Sequence, residues 1–174
     1  GYYSSASVWA TYGASGKLYT DVKPGIWYYA AVDRAVGEGI LELNGTRLLP
    51  HAAVTRAQLV TMLYRMAGSP TVDGDMPFDD VPEGAAYYDA VMWAYKNGIA
   101  LGCGYDKFVP AALVTREQTC AFLARYAEHC GKDLSGLDKT AIDAFADRST
   151  VEPNIIGSVN DMCALGILKG YEDG

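Results

Sequence analysis

Apolar residues recur at i, i+3, i+4 and i+8 in three separate stretches of the chain: Val32, Ala35, Val36 and Ile40; Val91, Ala94, Tyr95 and Ile99; Val159, Met162, Cys163 and Ile167. That spacing lays one apolar stripe along a helix, so three amphipathic helices are predicted. Each stripe runs into Gly-Ile, at Gly39-Ile40, Gly98-Ile99 and Gly166-Ile167. The pair suits a left-handed glycine just past the helix end and an apolar residue folding back on the last turn. After the first two stripes comes a loop, residues 41–53 and 100–113, with an apolar residue two places before a proline (Leu48/Pro50 and Phe108/Pro110). A second helical periodicity then follows, with Leu59, Met62, Leu63 and Met66 expected to face inward in one stretch and Phe122, Leu123 and Tyr126 in the other. Each unit is predicted to be helix, loop, helix.

The units are copies of one another. Asp21-Val22 returns as Asp80-Val81, 59 positions on, and Thr55-Arg56 returns as Thr115-Arg116, 60 positions on. A partial third copy starts at Phe145-Ala146-Asp147. The chain therefore divides into residues 1–18, a linker or N-terminal strap; 19–70, copy one; 71–131, copy two; and 132–174, a connector with the partial copy three. The polar, turn-rich stretches SPTVDGDMP and 131–140 are expected at the surface.

Composition narrows the function. With 174 residues, half of them hydrophobic, the chain can bury a core. Its net charge of −7 argues against a nucleic-acid partner, which needs a dense basic surface. No apolar run approaches the roughly 20 residues that span a bilayer, so no membrane insertion is expected, and GYYSSASVWATYG lacks the pattern of a signal peptide, so a mature product or a fragment is expected. The four cysteines form no CxxC pair; isolated or buried thiols are expected, with disulfides left open. His51 and His129 lack partners at metal-ligand spacing, so neither metal nor cofactor is expected. The adjacent Asp79 and Asp80 read as a cap and a hydrogen-bond anchor rather than as two acids held across a sugar, and no nucleophile or nucleotide fingerprint is present, so the chain is not expected to be an enzyme.

The repeated VTRAQ and VTREQ, at Val54 and Val114, carry the candidate chemistry. Thr55 with Gln58, and Thr115 with Gln118, spell a capping box. The arginine between them has no such structural duty, because a cation at a helix start adds to the positive end of the dipole. It makes sense where an anion docks, since dipole, amides and guanidinium all favour a carboxylate or phosphate. Arg56 and Arg116 are thus the leading contact residues; the alternative is that each pairs with an acid such as Asp21 or Asp80. Arg65 and Arg125 also recur, but late in a helix, where the dipole itself stabilises a cation. Tyr95 and Tyr126 are expected in the core, while Tyr28, Tyr29, Tyr87 and Tyr88 suit either a core or a sugar face.

The order D-V, W-Y-Y-A-A-V, G-I, an apolar residue with proline, then T-R-A-Q and a helix resembles the S-layer homology domain, over residues 18–131 as two copies and 145–174 as half of a third. The resemblance implies an all-α fold of tandem helix-loop-helix repeats around a pseudo-threefold axis. It implies a secreted, non-catalytic anchor at the bacterial cell surface, whose partner is an anionic, in several members pyruvylated, secondary cell-wall polysaccharide. It places ligand-binding roles on Arg56, Asp21 and Trp27 in copy one and on Arg116 and Asp80 in copy two. The departures are Ala86 and Asn154 where copy one has Trp27, and the absence of a T-R pair from copy three. At most two competent grooves are therefore expected, the better in copy one, and the incomplete copy three leaves self-association open. A helical protein–protein interaction scaffold with degenerate grooves is the alternative function.

Overall fold

The predicted glycine stops close the first helix of every copy. In the computed structural model, which describes residues 3–5 and 8–170 with side chains from Gly13 onward, Gly39, Gly98 and Gly166 adopt φ of 74°, 67° and 69°. The next amide reaches back five residues, Ile40 N–H to Ala35 O, Ile99 N–H to Ala94 O and Ile167 N–H to Met162 O, at 2.8, 2.8 and 2.9 Å. The helices are α1 (Tyr29–Gly37), α2 (Arg56–Met66), α3 (Tyr88–Lys96), α4 (Arg116–His129) and α5 (Ile156–Ala164), with 3₁₀ turns at Ala141–Ala144 and Arg148–Thr150. The fold is all-α, and the order helix, loop, helix holds in copies one and two. Trp27 lies ahead of α1 rather than inside it, in a turn closed by Tyr29 N–H to Ile26 O.

Ahead of α1, residues 3–5, 8–12 and 18–19 are extended. Strands β1 (Tyr3–Ser5), β2 (Val8–Tyr12) and β3 (Leu18–Tyr19) form a small antiparallel sheet in that order, with Tyr3 opposite Ala10 and Thr11 opposite Tyr19. The segment is tied down by chemistry that its sequence conceals. Asp33 on α1, 6% exposed, accepts hydrogen bonds from the Ser15 hydroxyl at 2.5 Å, the Tyr19 hydroxyl at 2.8 Å and the Ser15 N–H at 3.2 Å. The Ser15 hydroxyl, with help from Tyr19, holds the Asp33 carboxyl below its ordinary pKa against the opposing effect of burial. Gly13 has no alternative here, because a Cβ would stand 1.8 Å from an Asp33 oxygen.

Two compact units result, Gly1–Ala53 with Thr61–Ser69, and Val54–Val60 with Pro70–Gly174. The first has a core of Tyr19, Val22 and Val36, with Ile26, Val32, Leu41 and Leu48 packed against it. In the second, Ala90 to Ala94 bury nearly a full turn and a half of α3, and Cys120, Ala124, Leu134, Ile142, Val159 and Met162 join α4 to α5. The buried Asn160 pegs the connector to α5, accepting from Ile142 N–H and donating to Asp138 O. Not every stripe residue turns inward: Tyr95 is 43% exposed, Met66 50% and Ile167 59%. Each stands in the last turn of its helix or just past it, where the stripe outruns the neighbour that would cover it. Tyr95 keeps one aromatic contact, its ring edge-on to Phe78 at 5.3 Å. All four cysteines are free thiols, but only Cys120 is buried, and burial pushes it up to about 11.

Candidate functional site

Both capping boxes form as the sequence predicts. Gln58 N–H donates to Thr55 Oγ1 at 3.2 Å while the Thr55 N–H reaches Gln58 Oε1 at 2.9 Å, and the same reciprocal pair joins Thr115 and Gln118 at 3.2 and 3.3 Å. Each box presents an arginine at the first helical position.

The two aspartates clamp the loops that precede these helices. Asp21 accepts from Leu48 N–H at 2.9 Å and Leu49 N–H at 2.8 Å; Asp80 accepts from Phe108 N–H and Val109 N–H, both at 2.8 Å. Leu49 and Val109 carry φ of 60° and 56°, a left-handed conformation that a β-branched residue adopts only at a cost, and the carboxylate clamp stabilises it. Burial works to raise the Asp80 pKa, but the Phe108 and Val109 amides outweigh it and hold the carboxyl below its ordinary value.

Arg56 and Arg116 diverge from this common frame. Arg56 is 9% exposed. Its Nε donates to Phe108 O at 2.8 Å and its Nη2 to Leu101 O at 3.1 Å, and its guanidinium lies 4.8 Å from the Phe108 ring centre and 5.4 Å from that of Phe122. The amides beside it serve the same loop, Arg56 N–H to Ala112 O at 2.9 Å and Ala57 N–H to Pro110 O at 3.0 Å. The Phe108 peptide is thereby gripped at both ends, its N–H by Asp80 and its C=O by Arg56. Arg116 is exposed and donates from Nη2 to Lys169 O at 2.9 Å, the counterpart of the Leu101 bond, since both acceptors stand three places after the helix-ending glycine. Beside Arg116 a cleft of about 360 Å³ opens, lined by Arg116, Glu117, Asp147 and Arg148 together with Phe145 and Leu168 among others. Glu117 braces one wall by accepting from Glu152 N–H at 3.2 Å, and Arg148 pairs with Asp143.

Trp27 is 91% exposed and meets Tyr28 edge-on at 5.3 Å. Ala86, at the matching place in copy two, is also exposed, with Tyr87 and Tyr88 half-buried. Sequence reasoning passed over Arg148 and Thr150 in the cleft and Tyr105, 98% exposed in the copy-two loop. The landmark Phe145-Ala146-Asp147 was the one available signal for the cleft. Arg65 is tied locally, to Glu42 at 2.5 Å and Ile40 O at 3.5 Å. Among the described residues no cluster of metal-ligating side chains occurs, and no helix is long and apolar enough to cross a membrane.

A family model described as the S-layer homology domain matches residues 18–60 and 77–120, together half of the chain. The chain is 30% identical to an endoglucanase of Bacillus sp. (strain KSM-635) over 90% of its own length and 16% of that protein. It is 32% identical to the surface-layer 125 kDa protein of Lysinibacillus sphaericus over 82% of its length and 12% of the relative's. A cell surface protein of Thermoanaerobacter kivui is 32% identical over 62% of the chain and 15% of that protein. The chain thus spans less than a fifth of each of these relatives.

Proposed function

The chain belongs to the S-layer homology domain family, and on that premise we propose that it is a non-catalytic cell-wall anchoring module whose ligand is an anionic wall glycan. The relatives named for surface layers and cell surfaces favour the anchoring role. The endoglucanase meets this chain over so small a share of its length that an accessory segment is the natural reading of the overlap. The observation that carries the site is the contrast between the arginines: Arg116 borders an open cleft at the start of a 14-residue helix, with Arg148, itself paired with Asp143, also among the lining residues. In this reading Arg116 meets the glycan's negative group and Trp27 offers a sugar-stacking face. Arg56, Asp21 and Asp80 contribute by holding the loops in place. A pyruvyl carboxylate is one substituent of the right charge.

The test is retention on purified wall sacculi before and after extraction of the wall polysaccharide, for the native chain and for Arg116→Ala. Binding is expected to vanish on extraction and to weaken markedly with the substitution. Retention unchanged by either would favour the protein-interaction scaffold, a reading encouraged by the fact that the Arg56 helix start is filled by peptide.

A further inference from the structure

We propose that Asn44 is a site of covalent self-modification, losing its side-chain amide to water after ring closure with the Gly45 nitrogen, while the fold keeps Asn97, in the same dipeptide, intact. The sequence holds Asn-Gly twice, at positions 44–45 and 97–98. Glycine after asparagine leaves the chain nitrogen unshielded by any side chain and the backbone free to turn, so both pairs carry the same intrinsic chemistry. All four residues are exposed, so exposure does not separate them. Hydrogen bonding does. At Asn97 both reacting groups are tied down: the side-chain Nδ2 donates to Trp93 O at 2.8 Å, and the Gly98 N–H, which would have to attack, donates to Tyr95 O at 2.9 Å. The pair is the C-cap of α3 and its left-handed glycine, so freeing it means opening a helix end. At Asn44 the chain makes a tight turn, closed by Asn44 N–H to Arg47 O at 2.8 Å and Arg47 N–H to Asn44 O at 3.0 Å. Those bonds hold the ends of the turn. Gly45 stands at its tip with φ of 63°, and among the described residues neither the Gly45 N–H nor the Asn44 side-chain amide has a hydrogen-bond partner. A Cβ placed on Gly45 would meet nothing within 4 Å.

The step balances with water as the co-reactant and involves no change of oxidation state. Hydroxide takes the Gly45 amide proton, the nitrogen bonds to Asn44 Cγ, and the Cγ–Nδ2 bond breaks, releasing ammonia with a proton returned from water. Water then opens the five-membered imide. Attack at Cγ restores the normal peptide and leaves aspartate; attack at the main-chain carbonyl leaves isoaspartate, with an extra methylene in the main chain. One water is consumed, one ammonia released and one carboxylate gained. Either product sets a carboxylate three residues before Arg47, whose present acidic partner is Asp21 at 3.9 Å. Isoaspartate also shifts the register of the Asn44–Arg47 pair and of the Thr46 carbonyl that takes the Thr20 N–H at 3.0 Å, next to the Asp21 clamp. The matching turn of copy two is spared, because Gly104 stands 60 positions after Asn44 and closes the same way, Lys107 N–H to Gly104 O at 3.1 Å. The modification therefore acts on the copy-one loop, and it needs no glycan.

The experiment incubates the 174-residue chain in mildly alkaline buffer, once folded and once in guanidinium chloride, and samples it over time. Trypsin cuts after Arg34, Arg47, Lys96 and Lys107, so the two Asn-Gly pairs fall in separate peptides, residues 35–47 and 97–107. Mass spectrometry reads the change from amide to acid in each peptide, and chromatography separates the aspartate from the isoaspartate form. In the folded chain, peptide 35–47 is expected to convert about tenfold faster than 97–107 or more, since two hydrogen bonds must open at Asn97 and none at the Asn44 side chain or the Gly45 N–H. In denaturant the two rates should converge, because the dipeptide is the same and the fold is gone. Equal rates in the folded chain, faster conversion at Asn97, a rate difference that persists in denaturant, or an Asn44 that stays intact in the folded chain would each overturn the proposal.

Discussion

Two helix starts with the same five-residue motif, four of its residues identical, meet opposite fates in this molecule. At Val54–Gln58 the arginine is buried beneath two aromatic rings and spends its donors on the carbonyls of a loop some 50 residues downstream. At Val114–Gln118 the same side chain is exposed beside a cleft. The local physics is shared, since both starts carry the capping box and both arginines bond a carbonyl just past the next copy's glycine. What differs is supplied from elsewhere in the chain. A motif at a helix start therefore specifies the cap and the presence of a cation, and the neighbouring repeat decides whether that cation cements the fold or stands exposed beside a cleft.

The comparison breaks most readily at Arg56. Arg56→Ala takes the guanidinium from the buried Phe108 carbonyl, leaving it only the weak Cys103 thiol, and from the part-buried Leu101 carbonyl, and removes the cation from beside two rings, a loss of about 3 kcal/mol by analogy with other buried, charge-assisted bonds. Thermal or denaturant unfolding reads it directly. Arg56→Lys should recover part of the loss, because one ammonium cannot span both carbonyls as the guanidinium fork does. A melting temperature untouched by Arg56→Ala would mean that the arginine is not cement.

Asp80 sharpens the contrast through pH. Its carboxyl is held below the ordinary 3.8, so the folded state binds its proton less readily than the unfolded chain does. The stabilisation is complete above the unfolded value and is lost as pH falls past 3.8 and through the lower folded pKa. Asp80→Asn should cost about 1–2 kcal/mol at neutral pH, since a neutral acceptor replaces a carboxylate that takes two amides. The variant's stability should also fall less steeply on acidification than the native chain's. An equally steep acid limb would transfer the effect to the other carboxyls whose pKa is lowered in the same direction, Asp33, Asp133 and Asp138.

Legibility in the sequence follows the same division between local and distant causes. The glycine stops, the capping boxes and the helix-loop-helix order depend on contacts within about five residues, and pattern alone predicts them. The Asp79-Asp80 pair is readable as an anchor, but the strained Val109 that Asp80 holds is not, because a β-branched residue before proline gives no sign of a left-handed φ. The strands before α1 escape notice because they resemble no repeat, and Asp33 looks like a solvent-facing helix residue until Ser15 and Tyr19 fold onto it. The sequence ranks copy one as the better groove on the strength of Trp27, whereas the exposed arginine is the one in copy two. No residue near Arg56 announces its burial, since the covering Phe108 belongs to another copy.

Thr115→Ala removes one cap from an otherwise intact helix start and should cost about 1 kcal/mol. The smallest effect on stability belongs to Arg116→Ala. Its guanidinium is exposed, and water can replace it at the Lys169 carbonyl, so unfolding free energy should change by no more than about 0.5 kcal/mol, in keeping with surface substitutions elsewhere. The same substitution should nevertheless weaken retention on wall sacculi far more than Arg56→Ala does, once both proteins are shown to be folded at the assay temperature. This double dissociation, a large stability loss with little binding loss at one arginine and the reverse at the other, is the outcome that cement and contact demand. If Arg116→Ala destabilises the chain as much as Arg56→Ala, the two helix starts are structurally equivalent after all, and the open cleft is not what distinguishes them.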